Sequence, residues 1–528
     1  MTHPARPATK GDGVDTSLPI ASETELGRHR WRVLILGSVG MFMGTLLTTI
    51  VAVALPTLGP TLHLNYSEAL WVQSVYPLAM SVCLIPVGRL ADRHGLMRFY
   101  VIGIAIFGIF SLACALAFSG SSLIVARALQ GCGGAFTSAT SSALVAAVFP
   151  PQERGRGLGL NVMAGYVGLM AGPPLGGLIV SHTSWRWIFL LNVPLVIITL
   201  LGCWPLLGAE NRDRAAARER ALKKGNERQP GPPMVSNEPT AGGGSAAKVG
   251  ASLDWAGTAV LAAVLTTLLV PLISVPLWGW LSPLTLGLLA CFVLFLVAFV
   301  MVENRVRDPL LDLDLLRKNR LFAAGTVAAF LNYAAAHAIA TLTAVFLQVS
   351  QGYSAQHTGL FMLTQPVFMT TLSPAFGRLS DRLGSRALAS AGMILVAAGM
   401  TQLAFLPSPT PAWRVILALS VTGIGMAAFS SPNTSSVMGS VEPSRLSLAS
   451  GFLGTMRTAG QGVSIALLGA IAASGLGPTG GRVLFLGEKA SQAAALSFAD
   501  GYGAAMLVGA GLAVVGALVS LVRGPRTE

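Results

Sequence analysis

The octapeptide GRLADRHG, Gly88–Gly95, closes one long apolar run and opens another, and a near copy, GRLSDRLG, does the same at Gly377–Gly384. Gly88 and Gly95 let a short loop reverse the chain between two antiparallel helices, and Gly377 and Gly384 repeat the arrangement. Arg89, Arg93, Arg378 and Arg382 belong on a polar surface. A charged turn kept at two matched places in so apolar a chain implies a duplicated set of helices.

The 528 residues are 53% hydrophobic and 11% charged, less than half the charged share of roughly 25% in soluble domains. About twenty apolar residues in a helix cross a bilayer core, and such runs recur fourteen times by our reading. They fall at 33–56, 70–89, 99–118, 123–147, 158–180, 187–208, 256–276, 283–302, 321–347, 358–377, 387–406, 414–438, 448–472 and 500–522. The first run contains Ala52-Val53-Ala54, which imitates a signal-cleavage site, but it is too long for a signal core and reads as a retained anchor.

The net charge of +13 would suit nucleic acid, but its placement suits a membrane. With the loops alternating from an inside N-terminus, 29 of the 35 Lys and Arg fall on the inner side. Only Arg186, Arg414, Arg482 and Lys489 fall outside, and Arg127 and Arg457 lie within spans. This bias puts both termini in the cytoplasm of a multi-pass protein of the cytoplasmic (inner) membrane. No nucleic-acid partner is expected.

A shift of 292 positions lays Gly131, Gly133, Pro151 and Gly159 on Gly423, Gly425, Pro443 and Gly451. The expected fold is therefore an all-α polytopic membrane protein of two pseudo-repeated six-helix bundles plus two inserted transmembrane helices. The segments are a tail 1–32, a first bundle 33–208, a basic linker 209–253, an inserted pair 254–303, a loop 304–320, a second bundle 321–522 and a tail 523–528. The charged start of the linker, ENRDRAAARERALKK, can extend the sixth helix before PGPP and GGGS break it. Trp278 and Trp280 mark the outer turn of the inserted pair, since indoles favour the headgroup level. Two bundles facing a midplane site is transporter architecture.

GRLADRHG followed by Met97-Arg98 resembles the loop signature of the major facilitator superfamily. More specific is GLMAGPPLGG, Gly168–Gly177, which resembles the antiporter motif of that superfamily's drug exporters. Gly168, Gly172 and Gly176 recur every fourth residue, a bare stripe on which another helix backbone can pack; Gly177 extends the motif. Pro173 and Pro174 remove amide donors and bend the helix. The run from Gly423 through Ser431-Pro432-Asn433-Thr434 to Gly451 and Arg457 is similar to the fourteen-span drug/proton antiporter branch. The resemblance implies secondary efflux of drugs or other amphipathic small molecules, with rocking bundles and proton antiport. In the gating loops it leaves Asp92, and its counterpart Asp381, to pair with arginines or cap a helix N-terminus, and so to latch one bundle on the other.

The branch carries an acid in its first span, before a Thr-Ile-Val. Here the run Leu46–Pro56 has Leu47 in that place, and no carboxylate lies near the middle of any span. A titrating group must come from elsewhere. His337, midway along the ninth span with Tyr333 one turn before it, is the candidate; a neutral histidine hydrogen-bonded inside the bundle is the plain alternative. Arg457, with Gln461 one turn on, sits at a depth that costs about 2.5–3.5 kcal/mol and should face a cavity or a partner. Arg127, in the fourth span, lies close enough to the outer surface to snorkel, yet it joins His337 and Arg457 as a coupling candidate. Gln73, Tyr76, Asn161 and Asn433 complete the candidate cavity residues, and Asn332 and Gln365 are further polar groups within spans. Without an internal acid, a chamber holding these cations favours anionic or zwitterionic cargo, so an uncoupled facilitator or an exporter of an anionic metabolite or lipid is the second reading.

The sequence has no HExxH, GxSxG or GxxxxGK[ST], so neither an enzyme nor an ATP-driven pump is expected, and no cofactor. Cys83, Cys114, Cys132, Cys203 and Cys291 lie in apolar runs without paired spacing and read as packing residues, not as a metal site. The expected partners are a small-molecule substrate, protons and the lipid bilayer; partners in an efflux complex stay open.

Overall fold

The computed structural model describes residues 28–150, 153–227, 255–306, 313–442, 446–474 and 489–521, with positions 476 and 484. Helices begin where side chains can satisfy the free amides of a first turn. Asn65 and Glu68 form a reciprocal cap, with N–H to oxygen distances of 2.9 Å each way, and Ser119 and Ser122 form another. They end at the two octapeptides because Gly95 and Gly384 adopt φ of +119° and +84°, where a side chain would be strained.

Apart from the short helices Trp187–Leu190 and Leu313–Lys318, the described helices group into fourteen rods. The first six are α1 Arg30–Thr61, α2 Tyr66–His94, α3 Leu96–Ala115, α4 Gly120–Val148, α5 Arg154–His182 and α6 Asn192–Glu227. The inserted hairpin is α7 Trp255–Trp278 and α8 Pro283–Arg305, which turns at Gly279 with φ +84°. The last six are α9 Arg320–Ala336 continued by Ala338–Val345, α10 Ala355–Met362 continued by Thr364–Leu383, α11 Ser385–Ala404, α12 Ala412–Gly439, α13 Leu446–Ala472 and α14 Lys489–Leu521. The charged segment that begins after Ala209 does extend α6, as far as Glu227. The rest of the linker, 228–253, lies outside the described residues, as do position 254, 1–27, 307–312 and 522–528.

Eleven of the described helices are long and apolar enough to cross a membrane. The three rods that fall short are α4, α10 and α13. Each turns polar groups inward: Thr137 and Ser138, Gln365, and Arg457 with Gln461 all line the central cavity. Polarity spent on an interior wall lowers mean hydropathy.

The ninth span is not one uninterrupted α-helix. At His337 the register breaks: the Ala338 N–H donates to the Ser464 hydroxyl of α13 at 2.9 Å, and a π-turn follows at Phe346–Ser350. The tenth is likewise divided around Leu363. Helix α5, by contrast, passes through Pro173 and Pro174 without a break.

The bundles repeat each other's packing. Helices α1 and α5, α3 and α4, and α2 and α4 pack closely, as do their counterparts α9 and α13, α11 and α12, and α10 and α12. The bundles meet along α2 with α13 and α5 with α10, two contacts that exchange when the halves are exchanged. Helix α7 rests on α2 and α13, while α8 packs chiefly on α7.

Contacts also fix which rod ends lie together. The start of α2 touches the end of α13, the Tyr66 hydroxyl donating to Gly469 O at 3.2 Å, while Leu84 further along α2 faces Gly454 near the start of α13. Within the second half, Gly377 of α10 lies beside Ser431 late in α12, the helix that precedes α13. Both octapeptides therefore sit at one end of the molecule.

The opposite end is shut by contacts between bundles. Gln348 donates to Val53 O at 2.9 Å, Tyr66 meets Phe498 edge-on at 5.8 Å, and Gly177 lies on the Ala355 backbone. At the octapeptide end Gly155, Gly159 and Gly451 face open space.

Candidate functional site

The motif at Gly168–Gly177 makes a two-sided seam. A methyl at Gly168 would lie 2.5 Å from Phe42 O, and Gly172 and Gly176 press on Thr49 and Ile50, so the stripe packs on α1 inside its own bundle. The Thr45 hydroxyl seals that face by donating to Gly165 O at 2.8 Å. Gly177 and Pro173 instead meet Ala355 and Gly359 of α10 in the other bundle. Pro173 and Pro174 also leave the Leu169 and Met170 carbonyls without their usual amide donors.

Between the bundles lies a cavity of about 260 Å³ to which both contribute. Of the sequence candidates, Gln73, Tyr76, Tyr333, His337, Arg457 and Gln461 line it, together with Gln365. Asn161 and Asn433 do not. Asn161 is fully buried and holds three helices together, its amide meeting Ser38, Ser141 and Ser142. Asn433, also buried, lies beside Gly325 of α9. Asn332 is buried off the wall.

Arg127 is a correction. It does not snorkel; it is fully buried, with Nε donating to Val72 O at 3.2 Å and Nη1 to Gln130 Oε1 at 2.8 Å. Its guanidinium lies over the Tyr76 ring, 4.7 Å from the centroid, so the cavity sees Tyr76 and Arg127 stands behind it. The Gln130 amide donates onward to Ser111 at 2.7 Å, so the network spans α2, α3 and α4.

His337 stands where α9 breaks, and its ring faces the cavity without a hydrogen bond to any described residue. The hydrogen bond that the plain alternative of a neutral, bonded histidine calls for is not seen among the described residues. Arg457 donates from Nη2 to the Thr434 hydroxyl, its guanidinium lies 5.9 Å from the Tyr333 centroid, and its buried Nε has no acceptor among the described residues. Leu47 is buried off the wall, and none of the described side chains lining the cavity is Asp or Glu.

Sequence reasoning missed much of the wall. Tyr166 of α5 faces Ser373 and Ser430 across the joint, and Met41, Met80, Met369 and Met426 supply much of the apolar surface. It also missed that Cys83 and Cys132 bring their sulfurs within 3.5 Å, between α2 and α4.

In the octapeptide turn, Asp92 is exposed and bonds to no described residue. The N-terminus of α3 behind it is capped by Glu210 of α6, whose carboxylate accepts from the Met97 and Arg98 amides at 3.0 and 3.3 Å. The capping role open to Asp92 is therefore filled, at that helix, by a different acid. The Asp381 side chain lies outside the described positions.

Residues 37–302, 255–464 and 325–528 match the sequence profile of the Major Facilitator Superfamily. The chain is 30% identical over 457 residues to the multidrug resistance protein Stp of Mycobacterium tuberculosis, covering 86% of this chain and 78% of that one. It is 28% identical over 435 residues to the riboflavin transporter RibZ of Clostridioides difficile, covering 81% and 85%. Among solved structures it resembles a bacterial homolog of the human lysosomal transporter Spinster in an inward-facing, occupied conformation, with a TM-score of 0.63, 14% identity and coverage of 94% and 97%. Two repeated bundles around a shared cavity, a glycine seam joining them and these matches together place the chain in the Major Facilitator Superfamily, as a multi-pass membrane transporter and not an enzyme.

Proposed function

We propose that the chain exports amphipathic small molecules across the cytoplasmic membrane by alternating access, its fourteen rods all crossing the bilayer. The observation that carries this reading is the cavity built by both bundles, with contacts between the bundles closing the end away from the octapeptides. The positive-inside bias makes the octapeptide end cytoplasmic, with both termini, so this conformation faces inward. The bundles, 33–208 and 321–522, are the moving bodies, and the inserted pair 254–303 is a lateral brace.

In this reading the octapeptides are gate elements. Asp92 is exposed and unengaged among the described residues; when the bundles rock, it approaches the far bundle and latches the inner gate. His337 is the group on the described wall whose imidazole can take up and release a proton, which suits it to proton antiport. The curated relatives named for multidrug resistance support the export direction. A second reading, uncoupled facilitated export, is favoured by one observation: the described wall has no carboxylate.

Flux in proteoliposomes with separately imposed pH and voltage gradients separates the two. Antiport predicts uphill cargo movement driven by the pH gradient and lost in His337→Ala. Movement indifferent to the pH gradient, or unchanged coupling in His337→Ala, removes the antiport reading.

A further inference from the structure

Resting on the export reading of the cavity, we infer that its cargo is a compact aromatic anion whose negative group docks on Arg457. A guanidinium inside a membrane protein needs acceptors: Arg127 finds a backbone carbonyl and an amide oxygen, whereas Arg457 turns toward the cavity with fewer. Arg457 has no counter-charge among the described residues: its polar contact is the neutral Thr434 hydroxyl, and its Nε–H, buried, has no acceptor. With Asp and Glu absent from the described wall, the missing negative charge is best supplied by what enters the chamber. The planar fork of an arginine suits a carboxylate or phenolate better than a diffuse dipole.

The rest of the wall describes the body attached to that anion. Tyr76, Tyr166 and Tyr333 put aromatic rings on the wall, and the methionines around them offer soft, polarisable surface that adapts to ring edges. The volume of about 260 Å³ falls just below the roughly 300–1,000 Å³ usual for ligand pockets. It suits a small fused-ring scaffold.

A second unmet group lies on the first bundle. Gln73 donates from Nε2 to Thr48 O at 2.9 Å, but its buried Oε1 has no donor among the described residues. A hydroxyl or N–H on the cargo can supply one. Gln73 on α2 and Arg457 on α13 belong to different bundles, so a molecule held by both spans the joint about which the bundles move.

The charge of the cargo bears on the coupling. An anion on Arg457 favours a proton on His337 of the same wall and does not compete with it, whereas direct antiport needs competition. An inside-negative membrane potential itself drives an anion outward. The anionic cargo therefore favours the uncoupled reading.

The test uses the purified full chain and two dyes with one xanthene frame and opposite charge, fluorescein and rhodamine 123, with binding followed by fluorescence anisotropy. Fluorescein should bind about tenfold more tightly than rhodamine 123, and Arg457→Gln should weaken fluorescein by about tenfold to a hundredfold while leaving rhodamine 123 unchanged, the range of a lost charged hydrogen bond. Arg457→Lys, which keeps the charge without the fork, should fall between, and it decides the matter if Arg457→Gln does not fold. Tighter binding of rhodamine 123, or fluorescein affinity equal in the wild type and both variants, overturns the proposal. Flux of the same dyes in proteoliposomes keeps the two claims apart. Selective fluorescein binding without flux of either dye defeats the export reading and leaves the anion seat standing; flux of rhodamine 123 without fluorescein binding does the reverse.

Discussion

Gly177→Ala should open the end of the molecule that is shut here. A methyl at that position would stand 2.5 Å from the Ala355 carbonyl and 3.0 Å from Gln356 Cα. The first of these is about 0.9 Å short of an ordinary 3.4 Å contact, and both neighbours are backbone that no rotamer change can move aside. Helices α5 and α10 must separate, at the cost of about 1–3 kcal/mol typical of overpacking. The contact joins different bundles and exists only while this end is closed, so the cost falls on one conformation and shifts the balance about 5- to 150-fold. The assay places a cysteine at Thr48 on the cavity wall, in a background without the native cysteines, and adds a membrane-impermeant thiol reagent from the shut side. Labelling should accelerate within that range. Gly168→Ala is the control: its methyl would meet Phe42 O of the same bundle, so it should lower the melting temperature without changing the labelling. Unchanged labelling in a folded Gly177→Ala protein, or an equal rise in both variants, would refute the claim that this seam closes the chamber.

Two further outcomes follow from local contacts. Glu210→Gln replaces the carboxylate that caps α3 with a neutral amide and should cost about 1 kcal/mol, read as a fall in melting temperature; no fall would mean that the cap is idle. Copper phenanthroline should link Cys83 to Cys132 and remove two of the five titratable thiols, a loss that Cys132→Ala prevents; all five thiols surviving would contradict the 3.5 Å approach of their sulfurs.

The repeat was legible because its requirements are local. A turn with φ near +119° or +84° takes glycine, so Gly95 and Gly384 stand out in the sequence, and a seam that admits another backbone shows as glycine at every fourth position. Depth along a span was also readable, which brought Gln73, Tyr333, His337 and Arg457 to the cavity. What the neighbouring helix contributes was not. Arg127 near a span end looks free to reach water, but the Val72 carbonyl of α2 and Gln130 hold its guanidinium inside. Asn161 looks like a cavity donor until serines of α1 and α4 are seen to engage it. The break at His337 depends on a hydroxyl at Ser464, far along the chain, and the cysteine pair on the close approach of α2 and α4. The methionines of the wall are indistinguishable from core residues by pattern alone.

Paired distance measurements with spin labels at both ends of the molecule test the central claim of two bundles rocking about one chamber. One pair takes Gly159 and Gly451, which face open space at the octapeptide end; the other takes exposed Thr183 and His357 at the shut end. When turnover conditions invert the carrier, the first distance should shorten as the second lengthens. Distances that stay fixed during measured flux, or that change in the same direction, would contradict the rocking account.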